Sequence, residues 1–237
     1  MEKYIAEMLG TMVLVVINNG VVANVLLKQT KGNTKEHWWM ISFGAGMAVT
    51  LGIFVAMNIS GAHINPAVSI AFYALGTIGL TDLLGYIGFQ MFGAIIGAFI
   101  VYLVYKRHFD ATEENDLKLA AFSTSPAIPH RLWNMVTEII ATFFLVGMVV
   151  VLTHDSNQVP TYIIPFAIGL LVMVLGVSLG GSTGFAMNPA RDLGPRITHT
   201  LLRLGNSNWK YAMIPVLGPI VGGIIGALVF SVYLGGI

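Results

Sequence analysis

The sequence predicts an all-α membrane protein of six transmembrane helices and two half-spanning helices, arranged as an inverted repeat. Three observations predict it. Of the 237 residues, 56% are hydrophobic and only 10% charged, against roughly 25% charged in ordinary soluble domains. The gaps between Lys, Arg, Asp and Glu are long enough to cross a bilayer, and two of them are too long for a single helix. The tripeptide Asn-Pro-Ala occurs twice, at Asn65-Pro66-Ala67 and Asn188-Pro189-Ala190, each within a long apolar stretch.

Taken in order, residues 8–27, 83–105 and 211–237 each fit one crossing, which takes about 20 apolar residues. Residues 132–154 make another, interrupted only by Glu138. The gaps 37–81 and 156–190 each hold a full crossing followed by further apolar sequence. That extra sequence contains Gly61-Ala62-His63 before the first Asn-Pro-Ala and Gly184-Phe185-Ala186 before the second. Asn suits a helix N-cap, and Pro suits the first helical position, where its missing N–H costs nothing. A half-crossing of ~15 Å needs only about 10 helical residues. Met1-Glu2-Lys3 leads straight into apolar sequence without a small-residue cleavage signature, so no cleaved signal peptide is expected.

The chain reads as one transmembrane domain, 1–237, with a first half at 1–105, a polar connection at 106–131 and a second half at 132–237. The connection carries Lys106, Arg107, Glu113, Glu114, Asp116 and Pro126. It is either a solvated cap or a guide for solutes. Three matches relate the halves: Glu7-Met8-Leu9-Gly10-Thr11 with Glu138-Ile139-Ile140-Ala141-Thr142 (138 − 7 = 131), Asn65 with Asn188 (188 − 65 = 123), and Gly93-Ala94-Ile95-Ile96-Gly97 with Gly218-Pro219-Ile220-Val221-Gly222 (218 − 93 = 125). With three full crossings in each half, the second half must be inverted, which brings both half-helix N-termini to mid-membrane. Gly93, Gly97, Gly218, Gly222, Gly223 and Gly226 are expected to let helices approach closely in lipid.

Opposed half-helix N-termini place two positive dipole ends and unpaired N–H groups at one spot. Such a spot repels cations and donates hydrogen bonds to a neutral oxygen. The carbonyls of Gly61, Ala62, His63, Gly184, Phe185 and Ala186 are expected to form a ladder of acceptors, since irregular backbone at this depth must line protein or water. Arg191 is functional by default, being costly in lipid; the alternative is a salt bridge with Asp192. Glu7 and Glu138, at equivalent places, either accept hydrogen bonds from the loop backbones beneath the half-helices or relay protons. His63 is expected to contribute its carbonyl. The chain has no cysteine, which excludes disulfides and thiolate chemistry. His154-Asp155 reads as a turn, and nothing resembles a nucleophile–base pair, so no enzyme, metal or cofactor is expected. A net charge of +1 gives no reason to expect nucleic acid as a partner.

The stretches Ser60-Gly61-Ala62-His63-Ile64-Asn65-Pro66-Ala67-Val68 and Gly184-Phe185-Ala186-Met187-Asn188-Pro189-Ala190-Arg191-Asp192 resemble those of the aquaporin family, the major intrinsic proteins, and the resemblance covers the whole chain. Asp192 after Arg191 is similar to the glycerol-conducting branch, as are Phe122-Ser123-Thr124 and Pro215-Val216. The resemblance implies a four-position selectivity filter of Ala45, Gly176, Phe185 and Arg191. Gly176 stands where water-selective members place His, and Ala45 where an aromatic is usual, with Phe43 able to compensate by leaning in. It also implies a passive channel for glycerol, related neutral solutes and water, in a multi-pass protein of the plasma membrane and a homotetramer in the lipid bilayer. The other readings are a water-selective pore, a proton-coupled transporter using Glu7 and Glu138, and a purely structural membrane protein. The family topology, with both termini cytoplasmic, puts Lys28, Lys31, Lys35, Lys106, Arg107, Lys118 and Arg131 outside and leaves Lys3 nearly alone inside, the reverse of the usual charge bias.

Overall fold

A computed structural model describes residues 1–33 and 37–236. Lys35 lies outside the described residues. The described chain is helical: α1 (Glu2–Leu26), α2 (Trp38–Ser60), α3 (Pro66–Ala74), α4 (Leu80–Ala111), α5 (Asn115–Ala120), α6 (Arg131–Thr153), α7 (Ile164–Leu179), α8 (Pro189–Leu201) and α9 (Ile214–Tyr233). Five of these, α1, α2, α4, α6 and α9, are long and apolar enough to cross a membrane, and α7 is a shorter apolar helix. At 1.5 Å per residue, the 13 residues of α8 and the 9 of α3 span only part of a bilayer.

Elements pack in matched pairs, α1 on α4 and α6 on α9, with α2 against α7. Small residues make these contacts possible. A methyl group on Gly93 would lie 2.1 Å from the Met8 carbonyl oxygen, and one on Gly97 2.8 Å from that of Met12. In the second half the same places belong to Gly222, 2.1 Å from the Ile139 oxygen, and Gly226, 2.3 Å from that of Phe143. The sequence match of Gly93 with Gly218 is therefore displaced by one helical turn: the structural equivalent is Gly222 (222 − 93 = 129). A glycine recurring every four residues matches itself at either register, and only the packing partner decides.

The connection 106–131 is not simply a solvated cap. α4 continues to Ala111, α5 follows, and Phe109, Phe122, Ser123 and Thr124 are buried. Two of its charges are neutralised locally, Lys106 by Asp110 at 2.5 Å and Glu114 by Lys28 at 2.8 Å. Phe43 points outward: half exposed, it lies against Trp39, itself 59% exposed, so it does not lean into the interior.

Gly222→Leu should loosen α6 from α9 and destabilise the protein by at least the ~1–3 kcal/mol typical of overpacking. A thermal melt followed by size-exclusion chromatography measures this, and an unshifted melt would contradict the packing described.

Candidate functional site

α3 and α8 start where local chemistry dictates. Asn65 is extended, and its Oδ1 accepts from the Ala67 amide at 2.9 Å; Asn188 is likewise extended and accepts from Ala190 at 3.0 Å and Arg191 at 3.2 Å. Pro66 and Pro189 occupy the first helical positions. The two caps also cross. Asn65 Nδ2 donates to the Met187 carbonyl, and Asn188 Nδ2 donates to the Ile64 carbonyl, both at 2.9 Å. Each half holds the other by the same atoms (187 − 64 = 123 and 188 − 65 = 123), as a two-fold relation between head-to-head helices requires. Each amide nitrogen carries a second proton beyond the one used here.

The loops before the caps are strained in parallel. Gly61, Ala62 and Ile64 have φ of 85°, 54° and 42°, and Gly184, Phe185 and Met187 have 85°, 40° and 48°. Non-glycine residues rarely adopt these values, at a cost on the order of 1–3 kcal/mol each. The two buried carboxylates offset it. Glu7 accepts from the His63 and Ile64 amides at 2.9 and 2.6 Å, and also from Ser60 Oγ and Gln90 Nε2. Glu138 accepts from the Ala186 and Met187 amides at 3.1 and 3.0 Å. Neither carboxylate lines the cavity, and both oxygens of each are engaged, an arrangement that fits a brace and leaves a proton relay without a path. No hydrogen bond among the described residues ends on the carbonyls of Gly61, Ala62, His63, Gly184, Phe185 or Ala186. Of these six residues, Ala62, His63, Phe185 and Ala186 border the cavity, and Gly61 and Gly184 do not.

That cavity, of about 80 Å³, runs past both caps. At the roughly 10–15 Å³ that one water requires, it holds a short file of them. The loops and half-helices bring His63, Asn65, Asn188 and Arg191 to its lining, with Ile64, Val68 and Met187; the long helices bring mainly apolar residues, Val49 and Ile53 of α2, Leu145 and Val149 of α6, and Ile168 and Val172 of α7.

Arg191 is 9% exposed, and its Nη1 has no hydrogen-bond partner among the described residues. The ion pair with Asp192 is not made, because neighbours on a helix point apart. Asp192 pairs one turn on with Arg196, through Nε at 3.0 Å and Nη2 at 2.8 Å, and accepts from the Thr124 amide and hydroxyl at 2.7 and 2.6 Å. Arg196, fully buried, also donates to the Thr124 carbonyl at 2.8 Å and to that of Ser207 at 2.7 Å. The sequence reading missed Arg196, whose signal was its i,i+4 spacing from Asp192.

Ala45, Phe185 and Arg191 border the cavity, but Gly176 does not. A methyl group on Gly176 would lie 3.0 Å from the Phe185 ring and one on Gly180 2.4 Å from it, so these glycines form the seat on which that ring rests. Trp38 closes the seat from outside, edge-on to Phe185 at 5.6 Å, with Nε1 donating to the Gly176 carbonyl at 3.1 Å. The aromatic that packs on the Phe185 ring is thus Trp38, and Phe43 does not reach the cavity. The His63 ring borders the cavity, packs on Phe72 and Tyr86, and contacts Ser69 Oγ through Nδ1.

The family model described as "Major intrinsic protein" matches residues 1–230. The chain is 44% identical over 234 residues to the "Probable glycerol uptake facilitator protein" of Thermotoga maritima, covering 98% of this chain and 99% of that one. It is 43% identical over 234 residues to the glycerol uptake facilitator protein of Bacillus subtilis, covering 98% and 84%. Its structure resembles that of the aquaglyceroporin from Plasmodium falciparum, with a TM-score of 0.88, 29% identity, and coverage of 97% of this chain and 94% of that one.

Asp192→Asn should leave the Arg196 guanidinium buried without its countercharge, a loss of about 3–5 kcal/mol. Glu138→Gln should cost about 1–3 kcal/mol by leaving one loop amide unpaired. Thermal melts check both, and the glycerol-to-water permeability ratio of surviving Glu138→Gln protein should match wild type.

Proposed function

The chain belongs to the major intrinsic protein family, and on that premise we propose that it is a passive plasma-membrane channel for glycerol and related small neutral solutes, with water also conducted. The observation that carries the reading is a guanidinium nitrogen without a partner among the described residues and an aromatic ring, both bordering one narrow cavity. Arg191 donates to hydroxyl oxygens, Phe185 receives the carbon backbone, and the caps of α3 and α8 donate further along. Amphipathic solutes with a polar edge and an apolar edge fit between the polar loops and the apolar helices. The names carried by the relatives point the same way. Nothing is transformed, so the protein is a channel and not an enzyme.

Residue roles follow from that reading. Ala45, Phe185 and Arg191 form the constriction, with Gly176 contributing through the seat of Phe185. The carbonyls of Ala62, His63, Phe185 and Ala186 accept from passing solute, and those of Gly61 and Gly184 stand at the loop entrances. Arg191 and two helix N-termini together oppose cations. The unit is the whole chain, 1–237, with halves 1–105 and 132–237 joined by 106–131. Four copies form the assembly, each with its own pore; exposed apolar residues such as Phe54, Phe166 and Leu170 support burial against lipid or a neighbouring copy.

Light scattering of proteoliposomes tests the channel. Under a glycerol gradient, vesicles should shrink and reswell faster than empty ones; shrinkage without fast reswelling would mean a water-selective pore. Ala45→Trp with Gly176→His should evict Phe185 from its seat, suppress glycerol flux and spare water, and equal loss of both would contradict the filter assignment. Arg191→Val should admit a cation or proton leak, read as pore current or with an internal pH dye; silence would leave the helix dipoles as the whole barrier.

A further inference from the structure

Among the residues that the long helices contribute to the cavity lining, one is polar, Asn18 of α1. Asn18 is 5% exposed and its neighbour Asn19 is 1% exposed. The orientation of both amides is fixed by a chain of hydrogen bonds that ends on the backbone. The Phe122 carbonyl can only accept, so the group facing it at 2.9 Å is Asn19 Nδ2. Asn19 Oδ1 must then point the other way, where it accepts from Asn18 Nδ2 at 2.8 Å. Asn18 Oδ1 is left without a protein partner among the described residues, on the side of the amide away from Asn19. A network anchored on a carbonyl determines the assignment of amide oxygen and nitrogen, which density or geometry alone does not.

Apart from His63, whose ring nitrogens can donate or accept, the other polar side chains of the cavity are biased toward donation. Asn65 and Asn188 use their oxygens on the caps of α3 and α8, and Arg191 has only donors. Acceptors come from loop carbonyls, on the same side as those donors. A hydroxyl both donates and accepts, and one bound to Arg191 has a proton to place. We propose that Asn18 Oδ1 takes hydroxyl protons of passing polyols from the wall opposite the loops, as a specificity-determining group held in register by Asn19 and the Phe122 carbonyl. The chemical class favoured is a vicinal polyol, whose neighbouring hydroxyls reach both sides of the pore at once. This rests on the channel reading above.

The experiment compares glycerol and water permeability in proteoliposomes of wild type, Asn18→Leu, Asn18→Ala and Asn19→Leu. Leu keeps the branched shape of Asn, though larger, and removes the acceptor. The glycerol-to-water ratio should fall roughly three- to tenfold in Asn18→Leu, the effect of one hydrogen bond. Asn18→Ala, which adds no apolar bulk and so guards against a folding failure, should lower the ratio as well. Asn19→Leu should lower it less, since the Asn18 amide is then free to turn. A ratio unchanged from wild type in Asn18→Leu, or a parallel rise of both fluxes in Asn18→Ala, would make Asn18 a steric plug and overturn the proposal. Absence of glycerol flux in wild type would instead remove the channel reading, and this assignment with it.

Discussion

A bilayer offers no water to a backbone that leaves its helix, so each amide freed at mid-membrane must find a partner in the protein. This chain meets the constraint twice. Irregular backbone lies between a full helix and a half-helix in each half, residues 61–65 in the first and 180–188 in the second, and a carboxylate from the neighbouring long helix receives two of its amides. With the amides so engaged, the carbonyls turn to the other side and remain available to whatever fills the cavity. The acceptors of the pore therefore follow from the way the donors are satisfied. The reciprocal bonds from Asn65 to Met187 and from Asn188 to Ile64 then join the two loops into one structure.

The second half is braced less generously than the first. Glu7 receives four donors, two from side chains, whereas Glu138 receives two amides. Asp192 adds a support the first half lacks: it stands four residues past its cap, where the first half has Ser69, and with Arg196 it ties α8 to Thr124 of the polar connection. The residue pair that resembles the glycerol-conducting branch thus divides: Asp192 is buried in an ion pair, and Arg191 borders the cavity. Their one-residue offset turns them about 100° apart on the helix.

Most of this architecture is legible in the sequence because its determinants are local. Asn followed by Pro specifies a helix start, and charge-free runs of about 20 residues specify crossings. The parts that were not legible depend on which face of a helix a residue occupies. Phe43 is two positions from Ala45, on the far side of α2, so the helical periodicity already placed it off the interior face. Gly176 was read as empty space, yet it is occupied by a ring from Phe185, which no spacing reveals. Register between the halves failed at Gly93 for another reason, since a motif that repeats each turn cannot fix its own phase.

Where α2 crosses α7, a methyl group on Gly46 would meet the Gly169 carbonyl at 2.5 Å, and one on Gly169 would meet that of Gly46 at 2.7 Å. The two positions are 123 apart, the same interval as the caps. In a duplicated chain, most paired positions can drift separately: Ser69 corresponds to Asp192 in the other half, and Ala45 to Ile168. At this crossing, divergence is closed to both copies, because bulk gained by either displaces the other. The ancestral likeness of the halves is enforced there by sterics in the living molecule, independent of how long ago the duplication occurred.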